Sequence, residues 1–512
     1  MLEWIIGLSG TGKTALILEQ VKERALRSER SILLVPEQFS SSAEWMVYQA
    51  LGDAAGAYCE VYSFTSLAEQ LLREFGGVSV RTLTDAARVV AVRRALESLG
   101  DEVKTYRRHR RSTGFCRLAA DAFKELKIAG ATPEALLAIT QAPEEEREKM
   151  RDLGLLYAAY EQVIAKSAMD PADRLTTAAQ KLEEDWCANV AVFVDNFDGF
   201  TAPQYELMRR LMHAERCVVS LCCDSLTETQ EGMGLFSAVR QTAQRLRRLA
   251  SGEGISVAAP VYLTRDFRHE AAPELHAAAQ LLALDGEEEE SYEGQKGNVF
   301  FTPAQGVYDE CKQTAARIAV LVREEGYSYR DIAVICREMP LYEAAAAYEF
   351  ALAEIPYFTD APVTMEHTAA ASFLLSALSI LSGGLSSERI LRLLKSDLCG
   401  FTPEQTADLE EYAYVWQLKA ADWKEPFANH PDGFGAQWDD DSRAALEQLE
   451  QMRQTILRPL ETFLQTSKRA GASGISRGLY LLLEAFDAPE IVGALAQELE
   501  QEGDVLRAHS AV

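Results

Sequence analysis

Long apolar runs are missing from this sequence of 512 residues. None approaches the ~20 consecutive apolar residues that a bilayer-spanning helix needs. The nearest stretch, Ala369 to Leu385, carries Ser372, Ser376, Ser379 and Ser382 at helical spacing, the pattern of a soluble helix with one small polar face. The opening Met1-Leu2-Glu3-Trp4 has neither the basic flank nor the apolar region of a secretory signal, so a cytoplasmic chain without membrane contact is expected. Cysteine is sparse and unpatterned: nine residues, none in a CxxC pair, signal neither a disulfide framework nor a zinc site. The seven histidines lack ligand spacing as well. Positive charge is the scarcer sign, 51 Lys and Arg against 78 Asp and Glu, and the net −27 disfavours unspecific wrapping of a polyphosphate. Any nucleic-acid contact must be local. What is present is a globular balance of 48% apolar and 25% charged residues, at a length that predicts about three or four domains.

The chemistry begins at once. Leu2 to Ile6 reads as a short buried strand, Gly7-Leu8-Ser9-Gly10-Thr11-Gly12-Lys13-Thr14 follows, and Ala15 to Arg27 is apolar at helical period. This GxxxxGKT spacing needs glycines so that backbone N–H groups can turn around a phosphate. It needs a lysine to balance β/γ charge and a hydroxyl to hold magnesium. Gly7, Gly10, Thr11, Gly12, Lys13 and Thr14 are therefore candidate nucleotide contacts, with ATP and Mg²⁺ as the implied ligands.

Two further strands, Ser31 to Val35 and Glu60 to Tyr62, run into polar-aromatic loops, Pro36-Glu37-Gln38-Phe39-Ser40 and Ser63-Phe64-Thr65-Ser66. In an open α/β sheet, loops at the carboxyl ends of strands face the ligand crevice. Phe39 and Phe64 are candidates to stack on bases, with Gln38 and Ser63 reaching phosphates. The alternative is that the two rings cap the sheet as core residues. A fourth strand, Val190 to Val194, ends in Asp195-Asn196-Phe197-Asp198-Gly199-Phe200-Thr201-Ala202-Pro203-Gln204.

Here the resemblance becomes specific. The last segment resembles the DEFQD…Q motif of superfamily-one A helicases. The set GLSGTGKT, LLVPEQFS, VYSFTSLAEQLL and FVDNFDGFTAPQ is most similar to the AddB family of the bacterial AddAB helicase–nucleases. Tyr329 to Arg337, Ile355 to Asp360, Leu394 to Leu398 and Leu409 to Trp423 resemble that family's later landmarks, so the likeness runs in order from residue 1 to about 430. It implies an α/β fold with two RecA-like P-loop domains of superfamily-one helicase type, each with a large, mainly helical insertion. It also implies an AddA-type motor subunit as partner, double-stranded DNA ends and single-stranded DNA as ligands, and a survey of the 3′ strand for the Chi sequence.

Departures from a working motor matter as much. An active helicase keeps an acidic pair after this strand, the Asp for the magnesium shell and the Glu to polarise water. Here Asp195 remains, a metal candidate with Thr14, but Asn196 stands where the Glu is needed. Asn orients water but cannot accept its proton, which forfeits a general-base contribution of roughly 10²–10⁴. After the strand Cys217 to Cys223, active relatives place a glutamine that senses the γ-phosphate, and none stands at that spacing here. Asp266-Phe267-Arg268 resembles the next helicase motif, making Arg268 a candidate nucleotide contact or a plain surface arginine. ATP binding without turnover is expected. An active translocase using Asp198, or a small-molecule P-loop enzyme, are the alternatives.

The landmarks divide the chain into residues 1–80 with 185–280 as a first RecA-like domain and 81–184 as its helical insertion. An acidic linker at 281–297, the start of a second domain at 298–363, where Val299 to Thr302 and Ile332 to Cys336 read as strands around a helix from Tyr308 to Glu325, and a helical insertion at 364–512 complete it. Within the first insertion, Lys104, Arg107, Arg108, Arg110 and Arg111 beside Tyr106 form the densest basic cluster, either a seat for duplex phosphates or a solvated loop. No nuclease signature occurs, and Cys399 is the last cysteine, so the family's nuclease domain and its iron–sulfur cluster are expected only in a C-terminal part beyond these residues.

Overall fold

The computed structural model describes residues 1–77, 80–109, 112–165, 168–183, 186–227, 234–283, 292–359, 365–468 and 470–501. The chain divides into two compact units, Met1–Thr302 and Pro303–Val512.

The first unit is α/β. Strands β1 (Leu2–Ile6), β2 (Ser31–Leu34), β3 (Cys59–Tyr62), β4 (Ala191–Val194), β5 (Arg216–Leu221) and β6 (Val261–Tyr262) form one sheet in the order β3-β2-β4-β5-β1-β6. Every pairing is parallel. The inner strands are nearly continuous apolar runs because both faces are covered, as parallel sheets require. Leu2, Trp4, Ile6, Ile32, Leu34, Val192 and Val194 enter one core, while Ile5, Leu33, Ala191, Phe193 and Val218 alternate into the other. Helices α1 (Lys13–Leu26) and α2 (Ser40–Leu51), with the short α3 (Ala55–Tyr58) beside β3, bring Ile17, Val21, Ala43, Val47 and Ala55 to the second core. Helix α4 (Phe64–Glu74) supplies Leu67 and Leu71 to the first.

Between β3 and β4 the chain turns helical: α5 (Asp85–Leu99), α6 (Thr113–Ala129), α7 (Pro133–Leu137), α8 (Glu144–Ile164) and α9 (Arg174–Lys181). Val92, Leu96, Phe123, Leu156 and Tyr160 give most of this insertion a core of its own, while Ala178 and Ala179 of α9 join the sheet. Helices α10 (Ala202–Leu211) and α11 (Ser237–Gly252) complete the cover over the sheet, and α12 (Pro273–Ala283) follows β6. Most of the acidic run expected to form a linker, 284–291, lies outside the described residues.

The second unit departs from expectation. Val299–Thr302, at the end of the first unit, and Ile332–Cys336, in the second, read as strands of a second sheet, form none, and among the described residues the six-stranded sheet is the only one. Extended backbone becomes a strand only by pairing with a neighbour, and among the described residues these segments have none to pair with. Helices α13 (Val307–Arg323) and α14 (Met339–Leu352) pack together over a small core of Ala315, Ile318, Phe350 and Ile355. Beside them an apolar cavity of about 830 Å³ is lined by Ile332, Val334, Tyr357 and Phe358. Ile335 and Phe358 stand 92% and 90% exposed. The remainder is helical: α15 (Ala369–Gly383), α16 (Ser387–Leu394), α17 (Pro403–Val415), α18 (Asp440–Ser467), α19 (Gly471–Ala485) and α20 (Ala488–Gln501). Its core gathers Phe373, Leu393, Tyr412, Trp423, Leu460 and Phe463.

On α18, Arg453 holds Glu450 through two hydrogen bonds of 2.7 and 2.6 Å and donates to the Trp423 carbonyl. The Arg453 guanidinium draws the Glu450 carboxyl down from 4.5 to about 2. A depressed carboxyl stabilises the fold above its unfolded pKa and loses that contribution as pH falls through the folded one. The stability difference between the parent and Glu450→Gln is thus expected to be full above pH 4.5 and to shrink towards pH 2, measured as Tm against pH.

Candidate nucleotide site

The carboxyl ends of all six strands lie along one edge of the sheet, and the glycine loop leaves β1 there. Gly10 and Gly12 adopt φ +84° and +86°, a left-handed backbone that glycine enters without a Cβ penalty. At Gly7 the constraint is space, since a Cβ would fall 2.6 Å from the Leu263 carbonyl. Lys13 opens α1, and its Nζ donates to the carbonyls of Gly7 and Leu8 at 2.7 and 2.8 Å. Its ammonium therefore curls into the loop, ready to exchange carbonyls for phosphate oxygens. Thr11 is buried and donates to the Leu8 carbonyl at 2.8 Å.

Asp195 ends β4 at 1% exposure. One of its oxygens accepts from Thr14 Oγ1 at 2.7 Å and the other from Ser220 Oγ of β5. This joins α1, β4 and β5 around one carboxylate. A hydroxyl beside a carboxylate is a hard-oxygen pair of the kind Mg²⁺ takes, together with phosphate oxygens and water. Among the described residues no group of three or more His, Cys, Asp or Glu could hold a metal unaided. Asn196 has φ +63°, a left-handed conformation that asparagine tolerates better than most residues. Its amide Nδ2 donates back to Asp195 at 3.3 Å. Asp198 is exposed, and its carbonyl accepts from Thr242. In the loop after β5, Asp224 is held by the buried Arg240 at 2.6 Å.

Arg268 lies at the loop, donating from Nη1 to Ser9 Oγ at 2.8 Å. The neighbouring Phe267 N–H donates to the Gly10 carbonyl at 3.0 Å. Sequence reading missed Ser220, Asp266, His269 and His276. Asp266 accepts from Nδ1 of both histidines, at 2.8 and 2.9 Å. Its place in the Asp266-Phe267-Arg268 triplet was the available signal; His276, ten residues on, carried none.

The two polar-aromatic loops part company. Gln38 and Phe39 are exposed at the sheet edge, Phe39 by 43%. Ser63 and Phe64 are not: Ser63 is the N-cap of α4, its side chain and backbone exchanging hydrogen bonds with Ser66. Phe64 packs edge-on against Phe197 and Phe200 at 5.3 and 5.7 Å and is 5% exposed. The helix starts at Phe64, so its ring points into the core instead of along the crevice. The second of the alternatives stated for this ring holds, and Ser63 is committed to capping.

Arg107 and Arg108 sit exposed in a short 3-10 turn of the insertion, Arg107 paired with Asp101 at 3.2 Å. Arg110 and Arg111 lie outside the described residues. The buried Asp152 of α8 accepts from the backbone N–H groups of Lys104 and Thr105, pinning the start of this loop. At its far side Phe115 stacks on His109 and packs at a tilt against Tyr106. None of the nine cysteines is in a disulfide, and among the described residues they form no group of three or more that could hold a metal, so these residues do not fit an iron–sulfur cluster.

Residues 4–278 match the family model described as ADDB, N-terminal. A relative from Clostridium perfringens, named as the B-type subunit of an ATP-dependent helicase/deoxyribonuclease, is 29% identical over 505 residues, 95% of this chain and 43% of its own. Proteins of the same name from a Thermoanaerobacter species and from Acetivibrio thermocellus are each 28% identical over 98% of this chain, covering 44% and 45% of their own. The chain thus spans under half the length of these relatives. No helix among the described residues is long and apolar enough to cross a membrane.

The burial of Phe64 and exposure of Phe39 predict opposite consequences on truncation. Phe64→Ala should cost about 3–5 kcal/mol in chemical denaturation, whereas Phe39→Ala should stay within about 0.5 kcal/mol.

Proposed function

The chain belongs to the AddB family, and on that premise we propose that it is the nucleotide-binding, DNA-handling part of a helicase–deoxyribonuclease component that binds ATP with Mg²⁺ without acting as a motor. The observation that carries this reading is the pairing of an intact Thr14–Asp195 contact with an asparagine next to it. Binding needs the loop amides, Lys13 and the Thr14 hydroxyl. Hydrolysis needs in addition a group that takes a proton from water, and the amide of Asn196 is turned onto Asp195. Bound Mg²⁺ would neutralise phosphate charge, with Thr14 and Asp195 as its protein side. ATP then serves as a structural or regulatory ligand that favours whichever conformation binds it better.

In this reading Met1–Thr302 is a RecA-like half with its helical insertion, and the residues from Pro303 begin a second half whose sheet they do not themselves form. The motor is an AddA-type partner. The exposed Gln38 and Phe39 face single-stranded DNA, and Arg107 and Arg108 contact duplex phosphates. Processing of double-strand breaks and a survey for Chi belong to the whole protein. So do its nuclease and iron–sulfur cluster. A cytoplasmic location follows from that task.

ATP affinity should be lost in Lys13→Ala, measured by equilibrium binding with Mg²⁺; undiminished binding in that variant contradicts the reading. Asn196→Glu should gain less steady-state ATP hydrolysis than the roughly 10²–10⁴ a general base supplies, because a glutamate at φ +63° carries strain of about 1 kcal/mol or more. For DNA, Arg107→Ala with Arg108→Ala should lower the slope of log affinity against log salt by about 2, in anisotropy titrations of a short duplex. An unchanged slope would remove the loop from the DNA path.

A further inference from the structure

Asp266 lies in the turn between β6 and α12, and its side chain is 10% exposed. An ionised carboxylate has about four acceptor positions. Here one oxygen accepts from the backbone N–H groups of Arg268 and His269 at 3.0 and 3.1 Å. The other accepts from Nδ1 of His269 and of His276, the latter reaching across from α12. Hydrogen bonds from His276 and then His269 hold the carboxyl far below the usual carboxylate range, so it stays an acceptor throughout. The turn that Asp266 ties is seated on the glycine loop. Where a Cβ on Gly10 would fall, Asp266 Oδ1 is 2.6 Å away and Arg268 Cβ is 2.7 Å away. A glycine is needed there for approach as well as for φ. The Phe267 ring lies 3.5 Å from the corresponding point on Gly12, and the Arg265 guanidinium covers that ring at 4.6 Å.

We propose that Asp266 is a positioning residue, locked by His269 and His276, that holds Arg268 at the mouth of the phosphate loop before any nucleotide arrives. This rests on the reading that the loop takes a nucleotide phosphate. An exposed arginine left to itself samples many rotamers, and recruiting it to an anion costs that freedom. The Asp266 turn fixes its backbone and Cβ, and Ser9 holds its tip. Four guanidinium N–H groups remain for phosphate oxygens. Asp266 itself touches no ligand, because its acceptor positions are spent on the turn and the histidines.

The test is a double-mutant cycle on Mg–ATP affinity with the full chain, comparing Asp266→Ala, Arg268→Ala and the double variant, with Asp266→Asn as the conservative change. Nucleotide-free Tm is the folding control. Asp266→Ala should weaken ATP about tenfold, close to Arg268→Ala, and the double variant should be little worse than either. Asp266→Asn should recover to within about threefold, since its carbonyl still caps the turn. Should Asp266→Ala fail to fold, His276→Ala takes its place in the cycle, with a smaller loss in the same direction and the same non-additivity. Additive losses, or an Asp266 variant that binds like the parent while Arg268→Ala is weakened, overturn the proposal. A parent chain that does not bind ATP overturns the nucleotide reading, and the proposal with it.

Discussion

A carboxylate taken almost wholly out of water is tolerated only where donors replace its hydration, and Asp195 has three, Thr14 Oγ1, Ser220 Oγ and, more distantly, Asn196 Nδ2. That requirement fixes more than one side chain. It sets the first turn of α1 against the end of β4, and β4 against β5, so that loop, strand ends and crevice form one unit. With Thr14 held, the glycine loop has its C-terminal anchor. The other anchor is the Leu263 N–H bonded to the Ile6 carbonyl, which brings the β6 end and the Asp266 turn alongside. Candidate nucleotide contacts from sequence positions more than 250 residues apart thus depend on a parallel sheet whose edge is tied by one buried acid.

In the proposed reading the same edge separates binding from hydrolysis. Everything that cradles a phosphate is backbone, lysine or hydroxyl, and all of it is in place. The group required for proton transfer is replaced by an amide in a left-handed conformation, where asparagine is at ease and glutamate is not. Backbone and side chain agree at Asn196, so the position is a settled feature of the fold. Arg268, held by its turn, adds positive charge at the loop without supplying a base.

The glycine loop, the strands that frame it and the helix that follows it were legible because local pattern decides them. The helix read after the glycine loop begins at Lys13. Phe64 was ambiguous because a single residue of phase at the start of α4 decides whether its ring faces crevice or core, and the Ser63–Ser66 capping box settles that phase. Ile332–Cys336 has strand composition but lacks a strand to pair with, and pairing is a non-local property that composition does not carry. The histidine bridge to Asp266 was illegible for a like reason: His276 reaches it only because α12 folds back beside the turn.

The most direct measurement is single-turnover chemistry, with the chain in excess over radiolabelled Mg–ATP, in the presence of single-stranded DNA, quenched over minutes. The account predicts that ATP is bound and recovered intact. Conversion of the bound ATP to ADP within seconds would contradict it, and would mean that a proton acceptor other than the residue beside Asp195 completes the site.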